Sequence, residues 1–236
     1  MTLDTSDDLA AVMTEVAATL AGPLGLDKTL DHVLACVLDT VPGITQASLS
    51  VTTRDGRIET LAPTDERVVL ADQLQYKLGE GPCLEAALSE PVVESADLAT
   101  DPRWPQYGPG ATALGFGAQI AFQFRAEPHA RGALNLYADE PHSLDSETRA
   151  LGAMFAGLVA IAMGWARHEE TMNQALASRN VIGQAVGIVM ERYTIDPDRA
   201  FAFLVRISQD SNTKLRTVAD RVVADVITKA TARSTT

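Results

Sequence analysis

Few side chains in this 236-residue sequence have a type and setting suited to chemistry, and the two thiols, Cys36 and Cys83, come first. Cys83 follows the run Gly79-x-Gly81-Pro82, a helix-breaking turn. A thiol there can sense oxidants or hold a chromophore if its pKa is lowered, and is a small apolar side chain if buried. Cys36 falls in a different predicted element, so the pair is a poor match for a nucleophile with a nearby resolving thiol. The four histidines, His32, His129, His142 and His168, are scattered. None stands at metal-ligand spacing with a cysteine, so no metal site is expected. His32 lies on a partly apolar helix and is the one candidate haem ligand, against the default of a packed or solvated imidazole. The Gly79–Pro82 run lacks the Lys-Ser/Thr of a phosphate loop and does not open from a buried strand. No catalytic residue and no cofactor is therefore assigned.

Charge divides the chain. The formal net charge is −12, yet from Ser178 onward nine Lys/Arg face six Asp/Glu, a net of +3, which leaves −15 on the rest. Such asymmetry points to a tail whose partner differs from that of the body. The first residues carry Asp4, Asp7, Asp8 and Glu15 and no positive leader, so no signal peptide is expected. No apolar run is read as reaching the ~20 residues of a membrane span, and the longest, around Met154 to Trp165, is read as a buried helix. A cytoplasmic protein with reduced thiols is the expectation.

The elements that must position these groups follow from periodicity. Leu9, Val12, Met13, Val16 and Leu20 recur at helical spacing after Ser6 and stop at Gly22-Pro23. Leu30, Val33, Leu34, Val37, Leu38 and Val41 repeat the pattern up to Pro42-Gly43. Period two then takes over: Leu49 and Val51 alternate with Ser48, Ser50 and Thr52, and Asp55-Gly56 predicts a hairpin to a strand over Ile58 to Leu61. A helix is predicted over Glu66 to Gln75, ended by Gly79, Gly81 and Pro82. A short strand at Val92-Val93, a Pro- and Gly-rich loop with a short helix over Asp101 to Leu114, and two strands, Ile120-Phe122-Phe124 and Leu134-Leu136-Ala138, turning near Glu127 to Arg131, complete the body. The reading is an α+β domain: helices leading into an antiparallel meander with loops on one side.

From Leu144 onward the pattern is helical. Leu151, Leu158, Trp165 and Met172 fall seven apart beside Met154, Ile161 and His168, a short heptad seam that suggests a homodimer. Three further helices are predicted: one over Met172 to Tyr193, one opened by Asp196-Pro197 with Ala200, Phe203, Leu204 and Ile207 on a face, and one capped by Asn212 or Thr213 that buries Leu215, Val218, Ala219, Val222, Val223 and Val226.

The stretch from Ser178 to Ala224 resembles the ANTAR domain, a three-helix RNA-binding module of bacterial antitermination regulators. Arg179, Ile182, Ala185-x-Gly187, Val189-Met190, Ala200, Leu204, Asn212, Lys214, Leu215, Val218 and Ala219 carry the likeness. The resemblance implies binding of paired hairpins in nascent RNA. Polar and charged positions are the ligand candidates, since Arg and Lys pair with phosphate and Arg stacks on splayed bases: Arg179, Gln184, Arg206, Thr213, Lys214 and Arg216. Val186 stands where the family often has Lys. Upstream, Tyr76-x-Leu78-Gly79-x-Gly81-Pro82-Cys83, Asp101-Pro102-Arg103-Trp104-Pro105 and Leu134-Asn135-Leu136-Tyr137 resemble a GAF domain, a sensor fold that binds small ligands in some members and only dimerises in others. Tyr76, Cys83, Trp104, Tyr107, Phe122 and Tyr137 are the candidate pocket residues.

The expected organisation is an α+β GAF-like sensor domain over 1–168, an antiparallel sheet flanked by helices, then a connecting coiled-coil helix over 144–178 and an all-α, ANTAR-like three-helix bundle over 170–231. The expected function is signal-responsive, RNA-binding transcription antitermination, without membrane association and without enzymatic activity. A DNA-binding regulator is the alternative, disfavoured because the turn between the last two helices lacks the usual Gly and the recognition helix has few base-reading side chains. A thiol redox enzyme is weaker still, with only two separated cysteines.

Overall fold

Strand β1 (Gln46–Thr52) alternates Ala47, Leu49 and Val51 with Ser48 and Ser50, and both sets are buried. That is the mark of a strand covered on two faces, and it sets the architecture of the first part of the chain. The computed structural model describes residues 14–16, 18–19, 25–53, 56–126 and 130–234. It divides after Ala166 into two units. Residues 14–16 and 18–19 are helical, and the rest of the first predicted helix lies outside the described residues, as do Asp55 and the 127–129 turn.

In the first unit the order is α1 (Leu26–Thr40), β1, β2 (Ile58–Leu61), α2 (Glu66–Leu78), α3 (Pro82–Leu88), β3 (Val92–Ser95), α4 (Tyr107–Ala113), β4 (Ala118–Ala126), β5 (Ala130–Ala138) and the start of α5 (Ser146–Tyr193). The five strands form one antiparallel sheet in the order β2-β1-β5-β4-β3. This corrects the expected meander, because β5 returns to pair with β1, with Leu49 opposite Leu134 and Val51 opposite Gly132. The return needs a glycine: a Cβ on Gly132 would sit 1.9 Å from the Ser50 carbonyl oxygen.

Helices cover both faces, so the antiparallel sheet is flanked by helices as the expected fold class has it. One face joins Leu49, Ile120, Phe122, Phe124, Leu134 and Leu136 to α1 and to Leu151, Phe155 and Val159 of α5. The other packs Ala121, Ala133 and Tyr137 against α2, α3 and α4. Helix α2 ends at Gly79, whose φ of 70° is left-handed and suits glycine. Helix α3 has no counterpart in the periodicity reading. The Ser146–Trp165 stretch of α5 is 20 residues long and apolar enough to cross a membrane, longer than the sequence reading allowed. Its Leu151, Phe155, Ala156, Val159, Ala162 and Met163 lie in the sheet core.

In the second unit, the remainder of α5, α6 (Pro197–Asp210) and α7 (Leu215–Ser234) bury Ala185, Val189, Ala200, Leu204, Val218 and Ala219. Asp196 caps α6, its carboxylate accepting from the Arg199 N–H at 2.9 Å, with Pro197 in the first turn. Phe203 and Ile207, read on one face with Ala200 and Leu204, are 39% and 37% exposed. Neither Asn212 nor Thr213 caps α7. Asn212 takes φ 47° in the turn, the Thr213 hydroxyl donates to the Ser211 carbonyl, and Lys214 immediately precedes the helix, its carbonyl accepting from the Val218 N–H.

The expected boundary between a connecting coiled coil and the first bundle helix is absent: α5 is one helix of 48 residues. Leu151 and Leu158 of the proposed seam are packed into or against the sheet core, so they leave the seam. Ile161, Trp165 and Met172 remain exposed, joined by Leu176.

Candidate functional site

On the α2–α3–α4 face of the sheet, side chains that alternate with the apolar ones form a buried polar layer. Asp72 of α2 is its centre, fully buried. Its carboxylate accepts from the hydroxyls of Tyr137 (2.5 Å), Ser48 (2.7 Å) and Thr60 (3.0 Å). One turn on, the Tyr76 hydroxyl meets those of Ser50 (2.7 Å) and Thr60 (2.9 Å). Gln75 donates to the Tyr137 hydroxyl and accepts from the Cys83 N–H at the start of α3. Asn135 donates to Ser48 and Ser50, and Tyr107 of α4 donates to Gln119 of β4 at 2.6 Å. Gln119 Nε2 and Asn135 Oδ1 have no partner among the described residues, so the layer keeps one donor and one acceptor to offer.

The electrostatics of this layer are those of an anion without a cation. No Lys, Arg or His among the described residues pairs with Asp72. Burial raises its pKa to about 6, against the lowering effect of its three hydroxyl donors. Burial, then the charge of Asp72, pushes the Cys83 thiol well above its ordinary value, so the nucleophilic thiolate is disfavoured. The same two causes raise Tyr76, Tyr107 and Tyr137. The layer suits binding and hydrogen-bond exchange rather than nucleophilic attack. Among the described residues, no three His, Cys, Asp or Glu side chains converge as a metal site would require.

Beside the layer opens a cleft of about 800 Å³, bounded by Arg57, Ile58, Tyr76, Gly81, Leu84 and Trp104. Of the six candidate pocket residues, Tyr76 and Trp104 line this cleft. Cys83 and Tyr137 belong to the layer beside it, tied in through Ser50, Gln75 and Asp72, and Tyr107 is held separately by Gln119. Phe122 does not join them. It pairs with Leu134 across the ladder and points into the opposite core, under α5. The Asp101–Trp104 motif is a brace: Arg103 lies over the Trp104 ring at 4.2 Å and, by hydrogen bonding, holds the Asp101 pKa down to about 2. His32 pairs with Glu15 at 3.3 Å and sits 3.8 Å from the Cys36 sulfur. Asp72, Gln75, Ser48, Ser50, Asn135 and Gln119 were missed by the sequence reading. For Ser48, Ser50, Gln119 and Asn135 the signal was strict alternation with apolar neighbours, which resembles a solvent face, and Asp72 and Gln75 lie on helix α2 and carried no such pattern.

In the second unit Arg179, Gln184, Arg206, Lys214 and Arg216 are all exposed, and Thr213 is half-buried. Arg216 Nη1 lies 3.4 Å from the hydroxyl of Ser178, the residue before Arg179 in the sequence. Lys214 precedes α7 and has no side-chain acceptor, and among the described residues no side chain caps the first N–H groups of that helix. Gln184 lines a groove of about 600 Å³ with Gly187, Ile188, Val223 and Val226. Arg206 stands apart, two residues past buried Leu204 and on the outer side of α6, paired at 3.8 Å with Asp210. Val186 is half-buried against the three-helix core.

Comparison with known proteins places these two regions. The profile of the GAF domain matches residues 23–164, and that of the ANTAR domain matches residues 170–223. No curated protein matches the chain. Among solved structures, the GAF domain of a phosphoenolpyruvate-protein phosphotransferase from Coxiella burnetii superposes with a TM-score of 0.57 at 18% identity, over 72% of this chain and 99% of that one. A bacteriophytochrome from R. palustris gives 0.54 at 11%, over 78% and 42% respectively. A free methionine-R-sulfoxide reductase from Neisseria meningitidis, in complex with its substrate, gives 0.51 at 13%, over 72% and 96%. At these identities the shared property is the fold.

Proposed function

Since the chain belongs to the GAF domain family and carries an ANTAR domain behind it, we propose that this sensor-coupled, RNA-binding antitermination regulator acts on paired hairpins in nascent RNA, under a small-molecule signal read in the Tyr76–Trp104 cleft. The observation that carries the reading is the ANTAR match over 170–223 together with the exposed cations on that module. The uncapped start of α7 presents backbone N–H groups and a positive dipole end to phosphate. Lys214 adds a mobile charge there, and Arg216 and Arg179 extend it with planar forks. A partner that is nascent RNA places the protein in the cytoplasm.

The test is a salt titration of binding to two-hairpin RNA, one-hairpin RNA and duplex DNA. Two-hairpin RNA should bind tightest, and Lys214→Ala should weaken all RNAs alike and flatten the log–log salt slope by about one unit. Equal affinity for duplex DNA and two-hairpin RNA would overturn the reading in favour of a DNA-binding regulator.

The exposed apolar residues Ile161, Trp165, Met172 and Leu176 recur four, seven and four apart along α5, a seam in which His168 takes the intervening turn. We propose that a second copy of the chain covers it. Because Trp165 and Met172 are 58% and 54% exposed in the single chain, Trp165→Glu with Met172→Glu should leave the fold intact and yield monomers by sedimentation. A wild-type chain that is monomeric at micromolar concentration excludes the dimer.

A further inference from the structure

The second unit, residues 167–236, has three aromatic side chains, Tyr193, Phe201 and Phe203, and none is in its core. That core is built from Ala, Val and Leu, while the three rings are 54%, 45% and 39% exposed. The sheet unit does the reverse, burying Tyr107, Phe116, Phe122, Phe124, Phe155 and Tyr137. Two of the exposed rings are held together: Tyr193, the last residue of α5, meets Phe203 of α6 with centroids 5.3 Å apart and planes at 49°. Two arginines flank Phe203 on its own face of α6, Arg199 a turn before and Arg206 a turn after.

We propose that the Tyr193–Phe203 pair is a stacking platform for an unpaired loop base of the bound RNA. Every nucleobase has a π-face, so a ring fixed at the surface takes a splayed base without a large ordering cost. The nearby charge selects a base over the backbone. Arg199 is paired with Asp196 at 3.4 Å and Arg206 with Asp210 at 3.8 Å, and Asp198 is also exposed, so three acids stand against two cations here, whereas at the other end Asp220, 4.0 Å from Arg216, stands against Arg179, Lys214 and Arg216. The phosphate-binding cations lie at the other end of the module. Ser178, beside Arg216, is 15 residues before Tyr193 on the same helix, about 22 Å along its axis. A hairpin bound with its stem phosphates at Arg179, Lys214 and Arg216 therefore carries its loop toward the aromatic pair.

This inference rests on the RNA-binding reading, and the experiment separates the two. A two-hairpin RNA is selected from a randomised-loop pool against the full-length chain. Its affinity is then measured with intact loops and with single abasic loop nucleotides, for wild type, Tyr193→Phe, Tyr193→Ala and Phe203→Leu. Tyr193→Phe keeps the ring and should bind as wild type does. Tyr193→Ala and Phe203→Leu should each lose about fivefold or more, the effect of removing one base–aromatic stack. At one loop position the abasic RNA should lose affinity for wild type but not for Phe203→Leu. Helical content by circular dichroism should be unchanged. Failure of the pool to yield any hairpin removes the RNA reading and this one with it. A selected RNA that binds Phe203→Leu as it binds wild type, with the same abasic penalty, overturns the platform alone. So does a loss of affinity in Phe203→Leu that accompanies loss of the dimer, which would assign the rings to a protein interface.

Discussion

Leu204→Ala should melt the RNA-binding unit and leave the sheet unit folded. Leu204 is the largest side chain in a core whose other buried members are Ala185, Val189, Ala200, Val218 and Ala219. It is fully buried at the centre of α6. Truncating a buried leucine costs about 2–5 kcal/mol, and the small neighbours here have little side chain with which to fill the void. A single core in a unit of 70 residues supplies only about 3–5 kcal/mol. The substitution therefore consumes most or all of that stability. Thermal unfolding by circular dichroism should show the loss of one transition with the other unmoved, and binding to hairpin RNA should vanish. A variant that retains RNA affinity and a single unshifted transition would show that the three helices do not depend on this residue.

The second large effect is on pH. The carboxyl of Asp72 has its pKa raised from 3.8 to about 6 in the native protein, chiefly by burial. The folded state then holds a proton that the unfolded chain has already released between pH ~4 and ~6. The unfolded state binds fewer protons in that window, so stability falls as pH rises through it and stays low above it. The loss is about 3 kcal/mol for a shift of about two units. Asp72→Asn removes the titrating group and keeps the shape. Its oxygen can still accept from Tyr137, and its NH₂ can donate to Ser48 and Thr60. The variant should match the wild type near pH 4 and exceed it by up to about 3 kcal/mol at pH 8 in urea unfolding. A wild type whose stability is flat across pH 4–7, or an Asn variant less stable at pH 8, would contradict this. The charged form is the one present at neutral pH, so the sensor face works in its costlier state.

How much of this could be read in the sequence depends on what each pattern reports. Period two fixed β1, β4 and β5 and showed which residues share a face, and the Asp196-Pro197 pair located the start of α6. What periodicity does not report is the layer a face meets. Ser48, Ser50, Gln119 and Asn135 alternate with apolar residues as solvated side chains do, yet they meet α2, α3 and α4. Ser48 and Ser50 bond Asp72 and Tyr76, Asn135 donates to both serines, and Gln119 accepts from Tyr107. Phe122 was misassigned for a related reason: only the register, with Phe122 opposite Leu134, shows that it is on the other face from Tyr137. Helix α3 escaped because its seven residues follow two glycines and open on a proline. The cap of α7 was misplaced because Asn212 and Thr213 are common capping types, whereas the turn uses Asn212 for its positive φ.

The two free cysteines fall on opposite faces of the sheet, Cys36 in the layer of α1 and α5, and Cys83 in the layer of α2, α3 and α4. They are 7% and 0% exposed, and both have raised pKa values. A thiol reagent reaches either one only through an opening of the layer around it, so each labelling rate reads the free energy of one local opening. The sensor domain thus contains a two-channel clock. Modification at Cys83 times the motions of the face that holds the cleft, and modification at Cys36 times those of the face that holds α5.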